Sequence, residues 1–268
     1  MFVCRLRSGH EVELEFPKVL NNLQLDHFDH FVMNWNPVGH GPPGVYELPH
    51  FDFHFYTISR EERMSIQAAD QCYAVPDGYP FAGVPIPMTP ADYFRQMADL
   101  PCDMLPFGYA RAPAVEPGMG AHMIQPTRKE FTDPGSFDET WIFGTQDGEI
   151  TFWEPMITKE FLEGLKESGE TFEMTISTTI DVEGMIPIKL PVAGYYPTTY
   201  TASYEPGFYT VAMGDFAWFE ETDGVTDGCE QPYPPPTSPW KAQLKIVLMW
   251  YKVDCHSRPY QLEEIARK

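Results

Sequence analysis

The chain has 268 residues, with 39 acidic and 18 basic side chains, a formal net charge of −21 and a pI near 4.6. A field of that sign repels phosphate and no basic run offsets it, so neither nucleic acid nor an anionic membrane surface is expected as a partner. A hydrophobic content of 43% with 15% aromatic residues argues equally against a disordered acidic tail, because it suffices for a sizeable core.

In chain order, residues 11–16 (EVELEF) and 25–35 (LDHFDHFVMNW) alternate polar and apolar side chains, as half-buried strands do. The Pro- and Gly-rich stretch Asn36–Gly44 reads as a loop. After Pro49 comes His50-Phe51-Asp52-Phe53-His54-Phe55-Tyr56, a strict alternation and the strongest strand signal in the chain. Ser59-Arg60-Glu61-Glu62 has the form of a helix capping box, with a short helix expected to about Asp70. Thr89-Pro90-Ala91-Asp92 predicts a second helix to Leu100, and Thr158 caps a third over Lys159–Ser168, ended by Gly169. Further strands are expected at Thr140–Phe143, Glu149–Trp153, Thr171–Thr179, Tyr195–Tyr204, Phe208–Phe219 and Lys241–Val253. Asp147-Gly148 is a hairpin turn between the first two of these. A Pro-rich loop covers residues 221–239. Short strands, many turns and few helices predict a single, mainly β domain over residues 1–268. The expected architecture is an antiparallel β-sandwich or barrel with a few short peripheral helices.

No run reaches the roughly 18 apolar residues of a membrane helix. The N-terminus as written has no apolar segment ahead of its charges, so it does not read as a signal peptide. The five cysteines are scattered and form no CxxC, which argues against a structural zinc knuckle. Free thiols are the default, with one or two disulfides left open.

The histidines carry the chemistry. Five of the eight lie between positions 27 and 54. On a strand, His50, Asp52 and His54 point one way and Phe51, Phe53 and Phe55 the other. Residues two apart are about 6.6 Å apart and can share an ion, whereas His50 and His54, about 13 Å apart, are an awkward pair unless the strand bends or Asp52 bridges. Histidines on a polar strand face are more often solvated or hydrogen-bonded than metal-bound. Against that stand the HxDxH spacing and His40 in the neighbouring loop. His27 and His30 fall on opposite faces and are weaker candidates. From outside the cluster, His122 follows a glycine-rich turn (EPGMGAH) and Glu154 is held extended by Pro155. The resulting set, His40, His50, Asp52, His54 and His122 as ligands with Glu154 as ligand or general base, suits a divalent transition metal. Zinc comes foremost, with iron, manganese or nickel as alternatives. Phe53, Trp141, Trp153, Tyr195 and Tyr196 are the expected apolar wall of a pocket for a small-molecule ligand.

The run Asn36–Tyr56 (NPVGHGPPGVYELPHFDFHFY), with Val115–His122 (VEPGMGAH) and Phe143–Thr158 (FGTQDGEITFWEPMIT), resembles the signature of an uncharacterised, mostly bacterial domain family that includes ring-forming Thermus-type proteins. The resemblance spans residues from about 25 to 215. It implies a β-rich, usually exported homo-oligomer, and it marks His40, His50, Asp52, His54, His122 and Glu154 as motif positions. It implies no activity. Two functions follow as expectations: a metal-binding protein, with or without catalysis on a small molecule, or a structural ring- or shell-forming homo-oligomer. GxSxG, P-loop and GxGxxG patterns do not occur, so hydrolase, NTPase and dinucleotide readings lack their motifs.

Overall fold

A computed structural model describes residues 11–16, 27–41, 44–66, 100–106, 109–125, 128–178 and 184–226. Alternating segments pair into one large sheet. It contains β1 (Glu11–Glu15), β2 (His30–Asn36), β3 (His50–Tyr56), β4 (Ala110–Glu116), β5 (Gly120–Ile124), β6 (Glu139–Gln146) and β7 (Glu149–Thr158). Its order is β1-β2-β3-β7-β6-β5-β4, with every neighbouring pair antiparallel. β6 and β7 are joined at Asp147-Gly148, where φ is 52° and 83°, as the predicted tight hairpin requires. Among the described residues three short α-helices flank the sheet: α1 (Arg60–Ser65), α2 (Lys129–Thr132) and α3 (Lys159–Ser168). The capping box at Ser59 and Glu62 forms with both reciprocal hydrogen bonds. Thr158 caps α3, and Gly169 ends it at φ 71°.

The remaining strands form two smaller sheets. β8 (Phe172–Ser177), β9 (Gly184–Met185), β11 (Thr199–Glu205) and β12 (Phe208–Gly214) are ordered β12-β11-β8-β9, and β10 (Gly194–Tyr196) pairs with β13 (Ala217–Phe219). The sheets pack against each other and none closes into a barrel, so the sandwich half of the expectation holds. The core between them is largely aromatic. Met33, Phe53, Trp141, Phe143, Trp153 and Ile157 of the large sheet meet Met174, Ile176, Tyr196, Tyr200 and Phe219. Trp141 stacks on Trp153 and on Tyr200, each at 5.8 Å between ring centroids.

The boundaries differ from expectation for local reasons. Tyr195–Tyr204 is two strands because Pro197 interrupts it, and Phe208–Phe219 is two because Asp215 takes a φ of 50°. β7 is longer than predicted and runs through Pro155 to Thr158 although it is a central strand. A proline has no N–H to give. The β3–β7 ladder accordingly breaks there: partners run to Asp52 and Met156 and resume at Phe55 and Trp153. β4 and β5 carry no alternation strong enough to have been read, and α1 ends at Ser65, short of Asp70. Cys102 is disulfide-bonded, against the free-thiol default. The helix expected over Thr89–Leu100 lies, apart from Leu100, outside the described residues, as do the strand 241–253 and most of the loop 221–239. Among the described residues no helix is long and apolar enough to cross a membrane.

Candidate metal centre

The side of β3 opposite the aromatic core is where the polar residues collect. Strand alternation turns His50, Asp52 and His54 to that face, and antiparallel pairing sets Asn36 of β2 opposite His50. Glu154 of β7 comes level with His54 at the break beside Pro155. His122 of β5 pairs with Gly144 of β6, the small residue that gives its neighbourhood room. A Cβ at Gly144 would lie 2.1 Å from the Phe152 ring. His40 arrives from the loop above. Gly39, at φ +67°, turns so tightly that a Cβ there would lie 2.3 Å from the Tyr46 carbonyl oxygen, and the His40 N–H donates to that same carbonyl.

This face is not open to solvent. His50 and His54 are fully buried and Asp52 is 4% exposed. Val45, Tyr46, Phe131 and Phe137 cover one half with Ile142 and Met156, and Val32, Tyr56 and Phe152 pack around the other.

The six predicted residues all lie here, in two triads rather than one centre. His40, His50 and Asp52 form one group; His54, His122 and Glu154 form the other. In each, the candidate ligand atoms lie within 4.8 Å of one another. His50 therefore does not share a centre with His54 and His122, because the strand spacing that made the pair awkward was not relieved by a bend. Each triad contains two histidines and one carboxylate, a donor set that suits divalent transition ions and leaves positions for other ligands.

In the first triad, Asp52 Oδ1 is 3.1 Å from His50 Nε2 and Oδ2 is 3.5 Å from His40 Nε2. Burial disfavours the ionised form of Asp52, but the two imidazoles at its oxygens outweigh it and hold the carboxyl far below its usual range. Burial likewise lowers the pKa of His40, and Asp52 overcomes it, leaving His40 raised.

In the second triad, Glu154 Oε1 is 3.3 Å from His54 Nε2 and Oε2 is 3.5 Å from His122 Nε2. Neither ring nitrogen of His54 has an aligned hydrogen-bond partner, nor does Glu154 Oε2, although all three atoms are buried. Burial pushes His54 down to about 4, the nearby Val32 carbonyl and Asp52 pulling only weakly the other way. Burial, assisted by His54, pushes His122 down to about 3. Burial and the negative charge of Asp52 raise Glu154 well above the ordinary carboxyl value. Both imidazoles are thus neutral at neutral pH, with lone pairs free for an electrophile, and the carboxylate sits where a cation would favour its ionised form.

The expected aromatic wall is placed differently. Phe53, Trp141 and Trp153 lie in the core on the far side of the sheet, because they sit at the alternate strand positions; Tyr196 of β10 packs into that same core, and Tyr195 is exposed. The site is lined instead by Phe152, whose ring is 4.8 Å from His54 and 5.4 Å from His122, and by Phe137, 5.3 Å from His50. His27 stacks on Tyr196, and His30 stacks on Tyr56 and binds Asp29; neither joins a triad. Asn36, whose Nδ2 donates to Asp52 Oδ2 at 2.7 Å, was not singled out from the sequence. Only the β2–β3 register reveals it.

No protein-family model, curated protein or solved structure matches the chain.

Proposed function

We propose that this is a metal-binding protein in which His54, His122 and Glu154 hold a divalent transition ion, with zinc the foremost candidate, and that the bound ion acts as the centre of a metal-dependent enzyme for a small molecule. One observation carries the reading: the imidazoles of His54 and His122 converge with the Glu154 carboxyl, and both ring nitrogens of His54 and Oε2 of Glu154 are buried without an aligned hydrogen-bond partner. Burying such atoms unpaired costs on the order of 1–3 kcal/mol each, a cost that coordination removes. Three protein ligands leave at least one position for water, which a divalent ion makes acidic enough to act as a nucleophile near neutral pH. His122, whose side chain is 18% exposed, marks the side from which that position is reached. Glu154 presents one oxygen to each histidine, which favours the ligand role over the general-base role.

The test is elemental analysis of protein purified without a histidine tag, with cobalt substitution. Glu154→Gln and His54→Gln should each carry one ion fewer per chain than the parent, and the cobalt form should show a spectrum that changes when a small anion replaces bound water. A parent protein that takes up no transition metal, with an unchanged melting temperature in chelator, would sink the proposal. A coordinatively closed cobalt spectrum would remove the enzymatic half and leave a binding protein. The homo-oligomer implied by the resemblance is a separate expectation, checked by light scattering of the same preparation.

A further inference from the structure

We infer that the first triad, His40, His50 and Asp52, is a second divalent-metal site, separate from the one at Glu154 and exchanging more readily with solvent.

The hydrogen bonds around it decide which atoms face inward. His50 Nδ1 lies 2.6 Å from the Leu48 carbonyl oxygen, and His40 Nδ1 lies 2.7 Å from that of Gly41. A carbonyl oxygen only accepts, so each Nδ1 carries the proton and donates it. In the neutral rings this leaves both Nε2 atoms as lone pairs turned toward Asp52. Backbone carbonyls that fix the tautomer in this way are the usual outer partners of metal-ligating histidines. The carboxylate is held as well: Asn36 Nδ2 donates to Oδ2 at 2.7 Å and lies 3.4 Å from His50 Nε2.

What remains is an arrangement of electron pairs facing one another. Asp52 Oδ1 is buried without a hydrogen-bond partner, although His50 Nε2 is only 3.1 Å away. The imidazoles favour the ionised Asp52 by sharing protons with it; a divalent cation among the three groups displaces those protons and takes the carboxylate and both Nε2 lone pairs as ligands.

The two sites differ in access. His50 is fully buried, but the His40 side chain is 42% exposed, so one ligand of this triad borders solvent. They are also distinct centres. His40, His50 and Asp52 converge on one another, as do His54, His122 and Glu154, and no residue belongs to both groups. Each triad therefore holds its own ion.

The experiment is zinc and cobalt titration of the full chain, by calorimetry and elemental analysis, on the parent and on His40→Ala, Asp52→Asn and Glu154→Gln, with circular dichroism to confirm folding. Because His40 sits in a partly exposed loop, His40→Ala serves where Asp52→Asn does not fold. The expected result is two ions per chain in the parent, one of them removed first by mild chelation. His40→Ala should keep only the chelator-resistant ion and Glu154→Gln only the labile one. If His40→Ala binds as many ions as the parent, or the parent binds one ion that only Glu154→Gln removes, the second site is overturned while the site at Glu154 stands. If the parent binds one ion that His40→Ala removes and Glu154→Gln does not, the second site stands and the proposed one at Glu154 falls. No binding at all overturns both.

Discussion

Buried imidazoles make the protein sensitive to acid. His54 and His122 take protons only near pH 4 and 3 in the folded chain, against an ordinary 6.5 when unfolded. Between about 6.5 and 4 the unfolded state binds more protons, so stability falls as pH drops through that window. Glu154 works in the opposite direction. Its raised carboxyl binds a proton in the folded state before the unfolded one does, which adds stability as pH falls toward its ordinary value of 4.5. Denaturant titrations across pH 4–7 should therefore show a shallower acid limb in His54→Gln and a steeper one in Glu154→Gln than in the parent, all without metal. Limbs that coincide would mean the three groups do not share the buried environment described above. The residue types of this site were legible in the sequence, down to the alternation of His50, Asp52 and His54. Their grouping was not, because a side chain's partner depends on which strand lies beside it.

At the scale of the element, the site depends on how closely β6 and β7 approach. Gly144 has no room for a Cβ because the Phe152 ring and the Thr151 hydroxyl fill the space. Phe152 in turn contacts His54 and His122. Gly144→Ala should displace that ring, destabilise the fold by about 1–3 kcal/mol through overpacking, and weaken metal binding at Glu154 more than at Asp52. Thermal unfolding and the zinc titration together check it; an unchanged melting temperature would show that the ring moves aside freely. The cap of α1 makes a contrasting case. Ser59→Ala removes a side-chain acceptor for the Glu62 N–H and should cost about 1 kcal/mol with no change in metal content, since this cap touches neither triad. That cap, the Thr158 cap and the Asp147-Gly148 turn were all readable in advance, because each is a contract between residues no more than four apart. β4 and β5, by contrast, become strands only by pairing with each other and with β6.

Over the whole molecule, the sheets are joined by a polar contact as well as by aromatic packing. Tyr200 of β11 donates to Glu139 Oε2 of β6 at 2.7 Å, and Arg128 binds the other carboxylate oxygen of Glu139 at 2.8 Å. Tyr200→Phe keeps the ring in the core but strips one oxygen of its donor. Leaving a buried carboxylate oxygen unsatisfied should lower unfolding free energy by about 1–3 kcal/mol, measured in denaturant, while both metal equivalents are retained. Loss of metal in this variant would mean that the two faces of the large sheet are coupled. The acidic surface, so prominent in the composition, plays no part in the site: the groups that matter are buried and few.

Local periodicity in the sequence was enough to put three phenylalanines on one side of β3 and two histidines with an aspartate on the other, since side-chain direction along a strand is a property of the strand alone. It also sufficed to mark His50 and His54 as an awkward pair for one ion, though not to assign them to separate groups. Only the tertiary structure decided that the polar face is covered, that His122 and Glu154 close on His54, and that Gly39 folds His40 back over His50 and Asp52. Those outcomes depend on register across four strands and on a loop returning to its own sheet. They arise from contacts between residues far apart in the chain, which spacing along the sequence does not encode.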